Sequence, residues 1–204
     1  MRSYHHGNVR EEALRAALDV IAESGTAAVS LRELARRVGV THGAAAHHFG
    51  DKTGLLTALA SEGFRRLADA LQAAWDEHGD FGQVGVAYVR FAVEQPAYFD
   101  VMFRPELYRA DDPEVLEARL ASGAVLYRSA EQVADAAGGD TAVAGVAAWA
   151  YVHGIATLWR DGNLPPGLAD DPVGLAERIG PLLFQASAAA KRRRPSPPNR
   201  LWRT

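Results

Sequence analysis

The stretch SLRELARRVGVTHGAAAHHFGDKTGLL, residues 30–56, constrains the fold more than any other part of the chain. Ser30 and Glu33 have the spacing of a capping box, which marks the start of a helix. Gly39 can adopt the left-handed conformation that turns a chain sharply after a helix. Thr41 is suited to cap the helix that follows the turn. The stretch therefore predicts two short helices with a tight turn between them.

Two short helices joined by a glycine turn form the helix-turn-helix arrangement, here with helices at residues 30–37 and 41–48. In that arrangement the second helix lies in the major groove of DNA, where small side chains allow close approach and alanine methyls can contact thymine methyls. Any pair of helices can also be joined by a glycine turn. The spacing alone leaves DNA binding and simple packing open.

The histidine pair in the second helix raises the alternative of a metal site. His47 and His48 are adjacent, so on a helix their side chains point about 100° apart and cannot share one ion. The second helix, residues 41–48, contains no Cys, Asp or Glu. We therefore expect no metal site and no cofactor.

Apolar residues recur at helical spacing through most of the remaining chain, and no strand pattern stands out. The predicted fold class is all-α. The main helices are expected from residue 52 to about 77, from 114 to 137, from 140 to 161 and from 173 to 190. The last segment, 191–204, contains three prolines and no apolar period, which predicts a disordered basic tail.

Composition narrows the class of protein further. The chain has no cysteine, which suits a reducing cytoplasm. No uninterrupted apolar run approaches the roughly 18 residues of a membrane helix, and the N-terminus lacks the apolar core of a signal peptide. Residues 57–190 hold nine basic and nineteen acidic residues, whereas residues 1–56 are close to neutral and contain five of the seven histidines. We expect a cytoplasmic protein without a membrane partner.

The stretch from Leu31 to Leu55 resembles the DNA-binding head of the TetR family of bacterial transcriptional regulators. The resemblance rests on Leu31, Ala35, Gly39-Val40, His48-Phe49, Lys52 and Leu55 at ordered positions. It implies an N-terminal three-helix head, residues 1–50, that binds double-stranded operator DNA. It also implies a helical body, residues 51–190, that binds a small-molecule effector and forms a homodimer through its last two long helices.

The resemblance also implies roles for individual residues of the head. Side chains at the phosphate backbone are expected at Ser30, Thr41, His48 and Lys52. Side chains facing the bases are expected at His42, Gly43, Ala44 and His47. The family usually has Tyr, which often bonds a phosphate, where this chain has Ala46.

In the body, WAYVHGIATLWRDG resembles the Trp-His-Gly class of TetR C-terminal domains, through Trp149, His153 and Gly154. A helical face shared by Trp149 and His153 agrees with this class. The histidine can equally be a core residue with satisfied hydrogen bonds. We find no nucleophile elbow, di-iron motif or phosphate-binding loop, so catalytic residues are not expected.

Aromatic residues from five helical segments can either fill the body core or line an apolar cavity. The family binds small, mostly apolar effectors there, so the resemblance favours a cavity and an uncharged or weakly polar effector. The expected ligand-binding residues are Phe64, Leu67, Tyr88, Phe91, Met102, Phe103, Tyr127, Trp149 and His153. The sequence thus predicts a repressor released from its operator by an effector. The alternative is a helical small-molecule-binding or interaction protein that does not bind an operator.

Overall fold

The computed structural model of the chain describes residues 9–137 and 139–192. Within these ranges the secondary structure is helical, and no strand occurs. The α-helices are α1 (Val9–Ser24), α2 (Leu31–Val38), α3 (His42–Phe49), α4 (Lys52–His78), α5 (Phe81–Glu94), α6 (Pro96–Met102), α7 (Pro113–Ser129), α8 (Glu131–Ala137), α9 (Thr141–Arg160) and α10 (Pro172–Arg192). The all-α fold class is confirmed.

The helices of the head begin where the sequence predicts their caps. The Ser30 hydroxyl accepts a hydrogen bond from the backbone N–H of Glu33 at 3.3 Å, and the Thr41 hydroxyl accepts one from Ala44 at 3.2 Å. These bonds satisfy N–H groups that have no partner inside the helix. Gly39 has φ 77° and lies between α2 and α3. No atom lies within 4 Å of a Cβ added there, so glycine is needed for its backbone conformation rather than for close helix crossing.

Beyond the head, the predicted helix at 114–137 is wrong in one respect, because the chain forms α7 and α8 with a break at Ala130. The Ser129 hydroxyl donates to the Leu126 carbonyl at 2.8 Å, and the Ala130 N–H donates to both the Leu126 and Tyr127 carbonyls. Such local hydrogen bonds compete with the regular helical pattern. The aromatic segment after Pro96 is the short helix α6.

Buried side chains form a core that runs from the head into the body without interruption. Ala17 and Leu34 of the head belong to the same buried cluster as Leu59, Tyr88 and Val115 of the body. The cluster passes along α4, which contributes buried residues along most of its length. The division into two domains at residue 50 stays a prediction, and residues on both sides of this position share one continuous core.

Two expectations about the C-terminal part of the chain need correction. By length and composition α9 is apolar enough to cross a membrane, although such a helix is weak evidence for a membrane protein. Single polar residues spread along α9 interrupt its apolar sequence, so α9 contains no long uninterrupted apolar run. The predicted tail starts too early, because α10 continues to Arg192. The rest of that segment, 193–204, lies outside the described residues.

Candidate DNA-recognition helix and effector cavity

The side of α3 that faces away from the core carries most of the predicted base-contacting residues. His42, Gly43 and His47 are exposed and Ala44 is partly buried. The backbone φ of Gly43 is ordinary, and a Cβ there would meet only the Thr41 hydroxyl at 3.9 Å. Apart from its histidines, the exposed side of α3 therefore carries only small side chains. Such a surface can approach the floor of a DNA groove closely.

The three consecutive alanines of α3 have different surroundings. Ala45 is fully buried in the core, and Ala46 packs against the core while remaining partly exposed. Only Ala44 belongs to the side that also carries His42 and His47. His48 is exposed, with its ring centroid 5.8 Å from that of His47. The small side chains thus serve both the packing of α3 and its exposed side.

Lys52, predicted to bind a phosphate, is the first residue of α4 and is partly buried. Its ammonium group donates a hydrogen bond to the Ala27 carbonyl at 2.9 Å, which ties the start of α4 to the turn after α1. An ammonium group carries three donors, so two remain for another acceptor. A phosphate contact by Lys52 stays a prediction.

The arginines of α2 are held by acidic neighbours. The Glu33 carboxylate accepts hydrogen bonds from Arg36 at 2.7 and 2.9 Å and from Arg37 at 3.1 Å. These bonds lower the pKa of Glu33 to about 2. Arg37 also pairs with Glu23 of α1 at 3.0 Å. The Glu33 carboxylate is thus engaged with arginines. Among the described residues, Ser30 caps α2, and the second hydrogen bond of a capping box, from the Ser30 N–H to the Glu33 side chain, is not formed.

The body contains a cavity of about 350 Å³ between α4, α5, α7, α9 and the segment that follows α6. We call it the body cavity. Its volume is within the range of small-molecule sites, and its walls are mainly apolar and aromatic. Its lining consists of Phe64, Leu67, Leu71, Tyr88, Met102, Phe103, Pro105, Tyr108, Arg119, Ser122, Gly123, Leu126, Tyr127 and Trp149.

Seven of the nine predicted ligand residues line the body cavity, and two do not. Phe91 is buried but borders a different, polar groove between α4 and α5. The prediction that Phe91 lines the cavity is therefore wrong, although Phe91 lies about one helical turn after Tyr88 on α5. His153 is absent from the lining and lies beyond Tyr88 and Phe103. The lining also includes Arg119, Ser122 and Gly123, which were not predicted because their residue types carry no aromatic signal.

A hydrogen-bonded group joins the cavity wall to α9. The Tyr88 hydroxyl lies 2.9 Å from Nδ1 of His153 and accepts a hydrogen bond from Nε1 of Trp149 at 3.3 Å. With the indole as donor, the Tyr88 proton is free to donate to His153. Burial raises the pKa of Tyr88. Burial, with a smaller contribution from the Arg160 charge, lowers the pKa of His153, which favours its neutral form.

The segment between α6 and α7 links the body cavity to the head. Arg109 donates to both carboxylate oxygens of Asp51, at 2.8 and 3.0 Å, and Asp51 is the cap of α4. The backbone N–H of Arg109 donates to the Thr57 hydroxyl at 3.0 Å. Arg104 donates to the Thr26 hydroxyl at 3.2 Å. Since Phe103, Pro105 and Tyr108 line the cavity, we call residues 103–109 the linking segment. Of this segment, only Phe103 was predicted to contribute to the effector site.

One side of α9 is apolar and exposed. Val143 is 67% exposed, Val146 is 51% exposed, and Ala147 and Ala150 are exposed beside them. Gly154 continues this side, and no atom lies within 4 Å of a Cβ added there. On α10, Leu182 and Leu183 are also exposed. We call these residues the α9–α10 face.

A capped helix pair with an exposed second helix, on an all-helical body, is the arrangement of helix-turn-helix DNA-binding proteins. Comparison with known proteins agrees. Residues 13–59 match the family described as "Bacterial regulatory proteins, tetR family", and residues 81–180 match "Tetracyclin repressor-like, C-terminal domain". The chain belongs to the tetR family of bacterial regulatory proteins, which are transcriptional regulators and not enzymes.

Individual relatives match over part of the chain. The chain is 37% identical over 71 residues to the HTH-type transcriptional regulator BetI of Stenotrophomonas maltophilia, covering 35% of this chain and 36% of that protein. It is 36% identical over 95 residues to the HTH-type transcriptional repressor AcnR of Corynebacterium glutamicum, covering 47% and 46%. These matches span less than half of either relative.

Solved structures match over nearly the whole chain. A protein of unknown function from Rhodococcus sp. RHA1 is 35% identical, with a TM-score of 0.74, covering 88% of this chain and 96% of that one. The TetR family transcriptional regulator PfmR from Thermus thermophilus is 22% identical, with a TM-score of 0.62, covering 85% and 97%. The second likeness concerns the fold alone.

Proposed function

We propose that this chain is a cytoplasmic repressor that binds operator DNA as a homodimer and is released by a small, mostly apolar effector. The observation that carries the proposal is the exposed side of α3, with His42, Gly43 and His47, on a helix whose start is capped by Thr41. The N-terminal residues of such a helix read base edges in the major groove. The two family matches, one to the head and one to the body, support the same interpretation.

The α9–α10 face supports a homodimer. Exposed valine side chains of α9 and leucine side chains of α10 leave apolar area in water, and a second copy of the chain would bury that area. Ala147, Ala150 and Gly154 would let a second helix approach closely. One helix-turn-helix unit reads a half-site, and two units about 34 Å apart would read successive major grooves. Trp149, His153 and Gly154 support the proposal that the body belongs to the Trp-His-Gly class.

The linking segment supports a switch between cavity and head. An effector in the body cavity would touch Phe103 or Tyr108, whereas Arg104 and Arg109 hold the head at Thr26 and Asp51. Movement of α4, which begins at Lys52, would change the spacing of the two recognition helices. The effector releases DNA only to the extent that it prefers the DNA-free arrangement.

A gel-shift assay with the DNA upstream of the protein's own coding sequence tests operator binding directly. We expect a specific shifted band that competitor DNA does not remove. A protein that is folded yet binds this DNA no better than unrelated DNA would favour the alternative, a small-molecule-binding or interaction protein without an operator. The partly buried Ala46, at a position where the family resemblance implies a Tyr, is the feature that favours that alternative.

Substitutions in the head separate positioning contacts from base contacts. Lys52→Ala is expected to weaken binding to all sequences about equally and to lower the slope of log affinity against log salt by about 1. His42→Ala or Ala44→Leu is expected to change the preferred sequence instead. Arg90→Ala, on the body, is the control for loss of one positive charge. A Lys52→Ala protein with altered sequence preference and an unchanged salt slope would contradict this placement of α4.

A further inference from the structure

The lining of the body cavity has an unusual balance of charge. The body as a whole is acidic, with nineteen acidic and nine basic residues between positions 57 and 190. None of the cavity-lining residues is acidic, and Arg119 is the cation among them. A charged side chain at an otherwise apolar site fixes the orientation and the charge of the ligand.

Most polar groups of the lining are already engaged within the protein. The Tyr108 hydroxyl donates to the Met102 carbonyl at 2.8 Å, and the Ser122 hydroxyl donates to the Arg119 carbonyl at 3.0 Å. Tyr88 and Trp149 are bonded to each other. An engaged donor is a poor partner for a ligand, since binding would first have to break the existing hydrogen bond. An entering polar group must therefore find its partner elsewhere in the lining.

Arg119 is different, because its guanidinium group makes no hydrogen bond or ion pair with residues 9–137 or 139–192. It is exposed on α7, on the helical turn that precedes Ser122 and Gly123 of the cavity wall. Its charge acts on the Tyr108 hydroxyl, opposing the rise in pKa that burial causes there. The acidic neighbour that also acts on Tyr108 is Glu106, and Arg104 already pairs with that carboxylate at 3.3 Å.

We propose that the effector is an amphipathic carboxylate whose apolar part occupies the body cavity and whose carboxylate pairs with Arg119. The planar guanidinium group matches a carboxylate with two parallel hydrogen bonds. The phenol of Tyr127, which also lines the cavity and makes no hydrogen bond within the described part of the chain, can add a third donor. This inference rests on the proposed function and replaces the uncharged effector expected from sequence, because sequence could not place Arg119 beside the aromatic residues.

Binding of matched acids and amides by the purified full chain tests the inference. Octanoate, dodecanoate and 4-phenylbutanoate are each compared with the corresponding primary amide by isothermal titration calorimetry. The acid and its amide have the same apolar part and differ in charge. We expect the best-fitting carboxylate to bind about tenfold more tightly than its amide, the size of one charge-assisted contact at a partly exposed site. In Arg119→Gln this ratio should fall to about one, and Arg119→Lys should restore part of it.

Arg90→Gln is the matched control, since it also removes one exposed positive charge from the body but lies outside the cavity. The acid-to-amide ratio should not change in this variant. Equal binding of acid and amide by the original protein, or a preference that survives Arg119→Gln, would overturn the inference, as would failure of all six compounds to bind. Operator binding without any compound, measured on the same samples, tests the proposed function separately.

Discussion

Filling the body cavity should make the protein more stable and insensitive to its effector at the same time. Gly123 lies in the interior of α7 and lines the cavity. A Cβ added there would lie 3.9 Å from Cδ2 of Tyr127, which is ordinary contact, so a larger side chain can enter without forcing the backbone apart. Gly123→Leu therefore places four carbon atoms in space that an effector would occupy.

The gain in stability has two sources. Replacing a glycine inside a helix by leucine is worth about 1 kcal/mol in helix propensity. Full burial of a leucine side chain contributes about 1.5–3 kcal/mol. Because the cavity is open at its rim, the new side chain is buried only in part, and we expect a contribution of about 1 kcal/mol. A total of about 2 kcal/mol corresponds to a rise of about 4–8 °C in melting temperature for a chain of this size.

The assay combines differential scanning calorimetry at fixed protein concentration with operator release in gel shifts. Fixed concentration matters because the melting temperature of a dimer depends on it. Ala121→Leu, exposed on the same helix, is the control, and it should change neither measurement appreciably. A lower melting temperature for Gly123→Leu, or operator release by effector at an unchanged concentration, would show that this space is not the effector site.

Three further predictions concern the dimer, pH and the C-terminal segment. Ala147→Arg places a charge on the α9–α10 face and should yield monomers in analytical ultracentrifugation, and a wild-type monomer at micromolar concentration would refute the dimer. Because burial lowers the pKa of His153 from its usual value of 6.5, its contribution to stability should be complete above pH 6.5 and lost as pH falls through the folded-state pKa. His153→Gln should flatten the dependence of urea midpoints on pH below its usual pKa of 6.5, whereas an unchanged pH profile would contradict this. Deletion of residues 193–204 should leave operator affinity within about threefold at physiological salt, and a larger loss would make that segment part of the DNA-binding surface.

The head could be predicted from sequence because its signals are local. A cap is a relation between a side chain and a backbone group two or three residues later, so Ser30, Thr41 and Asp51 reveal three helix starts directly. The turn at Gly39 is also a local signal, because it depends only on the left-handed backbone conformation of that one residue. The observed starts of α2 and α3 differ from the predicted ones by a single residue because a cap precedes the first helical residue.

The cavity could be predicted only in outline, because its lining depends on which sides of distant helices meet. Aromatic residues provide a usable signal, and Phe64, Tyr88 and Trp149 are among those that line it. Phe91 follows Tyr88 on the same helix, yet it borders another groove. Arg119 and Gly123 carry no signal in sequence, since an exposed arginine and a helical glycine are ordinary features until α7 is packed against α4.

The proposed connection between effector and DNA also depends on packing that sequence does not reveal, and it is built from neighbouring aromatic and arginine residues of one segment. Within the linking segment Phe103 and Tyr108 line the cavity, while Arg104 and Arg109 bond to Thr26 and Asp51 of the head. In the proposed switch, a ligand that shifts the backbone at these aromatic residues also moves the arginines that lie next to them in the chain. Because Asp51 caps α4 directly after the recognition helix ends, that movement reaches the part of the head whose orientation sets the spacing on DNA. The hydrogen bond of Arg104 to Thr26 is partly buried and that of Arg109 to Asp51 is exposed, and each contributes little to stability. Breaking them therefore costs little free energy once an effector favours the arrangement in which the linking segment is displaced.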